Sequence, residues 1–133
     1  RLIEMGVEPY LVNTSLLAIL AQRLVRKNCT YCIAEEIISD AVRADLGIKP
    51  EETFWRGKGC EHCHKTGYHG RMSVYELLTV SPEMRKLIKP KAEAAEIEAQ
   101  AIADGMVPLT DMALQAAREK KTSIEEVYRS RIT

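Results

Sequence analysis

"CEHCHKTGYHGR" (residues 60–71) places two cysteines, three histidines and two glycines in one short stretch, and "CTYC" (residues 29–32) supplies a second cysteine pair of the same spacing. These are all four cysteines of the 133-residue sequence. Two Cys-x-x-Cys clamps drawn from distant points of a chain close the four positions of a tetrahedral ion and leave none for water, which is the arrangement of a structural zinc site. Cys29, Cys32, Cys60 and Cys63 are therefore the candidate metal ligands, with no catalytic role. The gap from Ile33 to Gly59 exceeds the commonest ribbon spacing, and a short helix fills the excess. An even number of cysteines also suits a disulfide framework. A redox-active pair would open a helix in a βαβ setting, and neither pair has that context.

Around the second pair, Gly67 and Gly70 let the chain turn tightly enough to aim backbone N–H groups at thiolate sulfurs. Four thiolates on one zinc carry a net charge of minus two, which Lys58, Lys65 and Arg71 can neutralise. With Arg56 these bases cluster along a stretch whose one local counter-charge is Glu61, so a contact surface for anionic headgroups or an acidic tail is the competing reading. His62, His64 and His69 are surplus to a complete four-cysteine set and are expected at the solvated surface; His64 is the natural substitute were a cysteine missing.

Outward from the cysteines the pattern is mostly helical. A first helix is expected to end at Gly6, with an extended passage around Pro9. "NTSLLAILAQRLVRK" (13–27) carries Leu16, Leu17, Leu20 and Leu24 at helical spacing, with Asn13, Thr14 or Ser15 as cap. Arg23, Arg26 and Lys27 then fall at its negative end, compensating the dipole or touching a nucleotide or neighbouring subunit. "AEEIISDAVRADLG" predicts a short helix with Ile38, Val42 and Leu46 inward and Gly47 as stop. "TFWR" and "RMSVYELLTV" predict strands, with Trp55 and Tyr75 in the core. Ser81 and Pro82 start a helix bearing Met84, Leu87 and Ile88 that Pro90 ends. "KAEAAEIEAQAIADG" predicts an amphipathic helix with Ile97 and Ile102 inward and Gly105 as cap. Thr110 caps a helix carrying Met112, Ala113, Ala116 and Ala117. Ser123 and Glu126 form a capping box ahead of Ile124, Val127 and Tyr128.

The fold class expected is thus mainly α, with a small β-containing tetracysteine subdomain and a C-terminal helical bundle. Nineteen basic residues balance nineteen acidic ones, so no global field favours nucleic acid. Apolar runs are too short to cross a bilayer and no signal peptide is seen. Reduced thiols awaiting a metal point to the cytosol. Arg1 opens the chain in mid-pattern, so a piece of a larger protein is expected. Phosphate loop, nucleophile elbow and HExxH motifs are all missing from the sequence.

"RLIEMGVEPYLVNTSLLAILAQRLVRKNC" resembles the segment that follows the nucleotide-binding core of the type II secretion and type IV pilus assembly ATPases, the GspE/PilB group. "GCEHCHKTGYHGRMSVYELL" resembles that family's second zinc knuckle and following strand, and "GMVPLTDMALQAAREKKTSIEEVYR" its terminal helices. Thr30 and Tyr31 depart from the proline and histidine-like residues expected in the first knuckle, and Lys120 and Lys121 stand where a glycine is expected. The resemblance implies the end of a RecA-like motor core over 1–28, a tetracysteine zinc subdomain over 29–80 and a helical subdomain over 81–133. It implies a hexameric cytoplasmic ATPase, peripheral to the inner membrane, that meets membrane platform proteins and drives pilin or pseudopilin assembly. ATP and Mg²⁺ would then belong to residues upstream of Arg1, and this segment alone would be inactive. A zinc-ribbon module binding protein or nucleic acid is the competing function, since "CEHCHKTG" also echoes the knuckles of chaperone cysteine-rich domains.

Overall fold

A computed structural model describes residue 6, residues 17–89 and residues 93–131. Strands take nearly as much of the described chain as helices, so the class is mixed α and β and not mainly α. Strand β1 (Ala18–Asn28) pairs with β4 (Tyr68–Thr79), and β2 (Ile33–Glu36) pairs with β3 (Phe54–Gly57). Between them lie helix α1 (Asp40–Leu46) and a single 3₁₀ turn (Glu61–Cys63). Four helices follow: α2 (Pro82–Arg85), α3 (Ala94–Ala103), α4 (Leu109–Arg118) and α5 (Ile124–Arg131). Among the described residues no helix is long and apolar enough to cross a membrane.

The helix expected over 13–27 is, where described, strand β1. Leu17, Leu20 and Leu24, which were to form its buried stripe, are exposed, while Val25 and Asn28 are buried. Helical spacing of leucines fails here because the backbone finds its partners in a strand some forty residues later, and a nonlocal ladder leaves no trace in local periodicity. Arg23, Arg26 and Lys27 therefore sit on a strand and have no helix dipole to compensate. Strand β2 was also unforeseen: "IAEE" pairs antiparallel with "FWRG", Ile33 opposite Gly57 and Glu36 opposite Phe54.

Other local signals act as the sequence suggests. Ser39 Oγ accepts from Val42 N–H at 3.3 Å, and Gly47 ends α1 with φ of 67°. Ile38, Val42 and Leu46 pack against the core. Ser81 Oγ accepts from Met84 N–H at 3.0 Å with Pro82 opening α2, although that helix already stops at Arg85. Pro90 lies outside the described residues, as do Pro9 and the helix expected before Gly6; Gly6 itself has φ of 94°. In α3, Ala101 is buried beside Ile97, whereas Ile102 is 47% exposed. Residues five apart on a helix face different ways, and Ala101, four from Ile97, is the one on its face. Gly105 N–H donates to the Ile102 carbonyl and Met106 N–H to that of Ala101, the two hydrogen bonds of a Schellman cap. Helix α4 begins at Leu109, so Thr110 lies inside its first turn and does not cap it. Tyr75 is 48% exposed, and Trp55 is half-buried with Lys120 Nζ 4.0 Å from its ring centre, so neither is a core residue.

The chain divides into two compact units. One comprises 1–21 and 75–108, and its small core is Val80, Met84 and Ala101. The other comprises 22–74 and 109–133, with a core of Val25, Ile48, Phe54, Val74, Ala113, Leu114, Ala117, Ile124 and Val127. Among the C-terminal helices, α2 and α3 pack together within the first unit, and α4 and α5 within the second.

Candidate metal centre

The second unit brings all four cysteines to one point, their sulfurs within 4.8 Å of one another. Cys29 follows the end of β1 and Cys32 precedes β2; Cys60 and Cys63 bracket the 3₁₀ turn between β3 and β4. The Sγ separations are 3.7 Å for Cys29–Cys60, 3.8 Å for Cys32–Cys63 and 3.7 Å for Cys60–Cys63. A tetrahedron with Zn–S bonds of about 2.3 Å has edges of about 3.8 Å, and these three separations match such an edge. All four are free cysteines, and a disulfide would need sulfurs about 2 Å apart. These residues could hold a metal such as zinc.

Backbone packing fixes the two knuckles against each other. Cys29 N–H donates to the Gly67 carbonyl at 3.0 Å, and Lys58 N–H to that of Cys32 at 3.1 Å. A Cβ on Gly57 would overlap the Gly67 carbonyl oxygen, and one on Gly67 would overlap that of Gly57. Gly67 also has φ of 83°, which L side chains adopt only at a cost. Glycine at both positions is what lets the strand ahead of the second knuckle cross the loop behind it. Thr66 closes the turn, its hydroxyl donating to the Cys63 carbonyl at 2.7 Å and accepting from Tyr68 N–H at 3.1 Å.

Three backbone N–H groups point at sulfur. Gly59 N–H lies 3.3 Å from Cys32 Sγ, while Cys60 N–H and Gly67 N–H each lie 3.2 Å from Cys63 Sγ. Such donors favour thiolate over thiol. Burial pushes the Cys60 thiol up to about 11, with hydrogen bonds from neighbouring thiols adding to the rise. Burial opposes ionisation of Cys63 as well, yet the N–H groups of Cys60 and Gly67 hold it down at about 6. Cys63 is thus a ready anion and Cys60 a reluctant one, and a bound dication would favour the ionised form of every ligand.

Gly67 serves the role expected of it, whereas Gly70 lies within β4 and, among the described residues, is not seen to donate to a cysteine. Gly59 and Cys60 supply the donors that sequence reasoning missed; a glycine next to a CxxC pair, on the side opposite the anticipated one, was their signal. His62, His64 and His69 are exposed and outside the sulfur cluster. The basic stretch is less bare than its sequence implies: Lys65 pairs with Glu61 at 3.1 Å, and Arg56 pairs with Glu125 of α5. Among the described residues no ion pair joins Lys58 or Arg71.

Comparison with known proteins places the segment. The family model described as "Type II/IV secretion system protein" matches residues 1–129. A type II secretion system protein E of Aeromonas hydrophila is 37% identical over 97% of this chain, and one of Pseudomonas aeruginosa is 38% identical over 97%. A type IV pilus assembly ATPase PilB of Thermus thermophilus is 39% identical over 96%. The chain spans only 26% of either secretion protein and 15% of the pilus protein. The matched span and these identities show that the chain belongs to the type II/IV secretion system protein family.

Proposed function

We propose that this chain is the metal-bearing segment of an ATP-hydrolysing motor for protein secretion or pilus assembly. The observation that carries the reading is the coincidence, in one chain, of a family match over 1–129 with four cysteine sulfurs gathered within 4.8 Å, three of their separations close to the edge of a zinc tetrahedron. Zinc at Cys29, Cys32, Cys60 and Cys63 would supply cross-linking, not chemistry: with four protein ligands no position is open for substrate or water. The chain's own residues prepare the site by pinning Cys29 to Gly67, Lys58 to Cys32, and three N–H groups to sulfur. A rigid metal-stapled segment suits a motor whose parts must transmit force.

In this reading residues 1–28 end the nucleotide-binding core, 29–80 form the metal subdomain and 81–133 the helical one. ATP and Mg²⁺ are handled by upstream residues, and the subunit works as a hexamer at the cytoplasmic face of the inner membrane with platform proteins. Of the four bases around the second knuckle, Arg56 and Lys65 are paired, and Lys58 and Arg71 would meet anionic headgroups. A nucleic-acid ribbon is disfavoured by the balanced charge. The test is ATP hydrolysis by the full-length protein and by this chain alone. Turnover by the full-length protein only, with loss of both metal and turnover on replacing Cys60 and Cys63 by serine, supports the reading. Turnover by this chain alone, or none by the full-length protein, contradicts it.

A further inference from the structure

The two knuckles are alike in more than their cysteines. Tyr31 occupies the third position of Cys29–Cys32 and His62 the third position of Cys60–Cys63. Those equivalent residues meet: the rings stack with centroids 3.8 Å apart and planes inclined by 14°. Tyr31 is 73% exposed and His62 is exposed too, so this contact is made at the solvent surface. The knuckles are also tied by backbone hydrogen bonds, Cys29 to Gly67 and Lys58 to Cys32, and by the Gly59 N–H on Cys32 Sγ. Outside the sulfurs, the stack is a side-chain tie between the knuckles among the described residues, and it lies on their solvent side.

We infer that Tyr31 and His62 form an aromatic latch across the two cysteine knuckles that slows the departure of a metal held between them. The inference rests on the metal reading above. Each knuckle holds two of the four sulfurs, so a metal leaves by parting from one pair while the other still holds it. That parting moves the 29–32 loop away from the 60–63 turn and breaks the stack. Aromatic pairing persists whether or not the imidazole nitrogen has a partner, so the latch depends on the ring at position 62 and not on its capacity as a ligand.

The test uses the zinc-loaded protein challenged with excess colorimetric chelator, after metal analysis of each variant. Both residues are exposed, and circular dichroism and Tm verify that the variants fold. Tyr31→Ala and His62→Ala are expected to keep one zinc but release it about twofold to tenfold faster. The double variant should release no faster than the faster single one, since either change removes the same contact. Tyr31→Phe and His62→Phe should release at the wild-type rate. Stoichiometric zinc with unchanged release in the alanine variants would overturn the latch alone. His62→Phe behaving as His62→Ala would assign the effect to the imidazole nitrogen and also overturn it. A wild-type protein that binds no metal would overturn the metal reading and the latch with it.

Discussion

Arg26 and Glu126, one hundred positions apart, are joined three times over: the carboxylate accepts from Arg26 N–H at 2.9 Å and from Nε at 2.8 Å, and lies 2.8 Å from a terminal guanidinium nitrogen. Arg26 lies two residues before the β1 terminus that leads into Cys29, and Glu126 is in the first turn of α5. The sequence suggests that Glu126 closes a capping box with Ser123. Half of it forms, Ser123 Oγ accepting from Glu126 N–H at 3.3 Å, but the carboxylate is drawn to Arg26 instead. The Arg26 guanidinium also lies 4.0 Å over the Tyr68 ring, whose hydroxyl is 2.6 Å from Ser123 Oγ. A strand before the first knuckle, a strand after the second and the last helix are thereby one polar network.

Glu126→Gln should destabilise the protein by about 2 kcal/mol at neutral pH, as expected for hydrogen bonds to a charged group. Burial opposes ionisation of Glu126, but the N–H and guanidinium of Arg26, with Arg129, outweigh it and hold its pKa below the ordinary 4.5. A depressed carboxylate stabilises the fold above its unfolded pKa, and that share is lost as pH falls through the folded value. The Tm gap between wild type and variant should therefore be full at pH 6–7 and narrow below about pH 4.5. A gap that widens on acidification would contradict the assignment.

Gly67→Ala should be far worse than Gly70→Ala. Both have positive φ, but a methyl on Gly67 meets the Gly57 backbone, whereas the nearest atom to one on Gly70 is Lys27 Cδ at 3.8 Å. Costs of about 2–4 kcal/mol and about 1 kcal/mol are expected in denaturant unfolding, with metal content reduced only in the first.

Lys120 ends α4 in the left-handed region, φ 66°, with Lys120 N–H bonded to the Ala117 carbonyl and Lys121 N–H to that of Ala116. The motif favours glycine, the residue that the resemblance leads one to expect there. Lysine is tolerated in part because its ammonium sits over Trp55. Lys120→Ala loses that contact and keeps the strain, so Lys120→Gly should be the more stable of the two by about 1 kcal/mol. Equal stabilities would show that the turn carries no strain.

Asn28, next to the first ligand, donates from Nδ2 toward the carbonyls of Trp55, Lys120 and Thr122 at 3.0, 3.2 and 3.0 Å, and its own N–H goes to Lys121. Asn28→Asp would turn a carboxylate toward three carbonyl oxygens in a buried site. A loss of about 2–3 kcal/mol is expected by thermal or denaturant unfolding, and an unchanged stability would show that this node does not matter.

What the sequence reveals and hides follows from range. Ser39, Gly47, Ser81 and Gly105 act within one or two turns, and their signals hold. The cysteines are far apart, yet their chemistry is so specific that spacing alone nominates the set. Leu17, Leu20 and Leu24 mislead because β1 is decided by a strand elsewhere, and the basic stretch misleads because its counter-charge, Glu125, arrives from the last helix. Tyr31 and His62 carry a symmetry of position that shows only once the knuckles face each other.

The most direct measurement is the metal content of the purified, reduced protein, with Cys29, Cys32, Cys60 and Cys63 each replaced by serine in turn. The account predicts about one zinc per chain, lost or weakened in every one of the four variants together with thermal stability. A metal-free wild-type protein that is fully folded, or serine variants that keep zinc and stability, would contradict it.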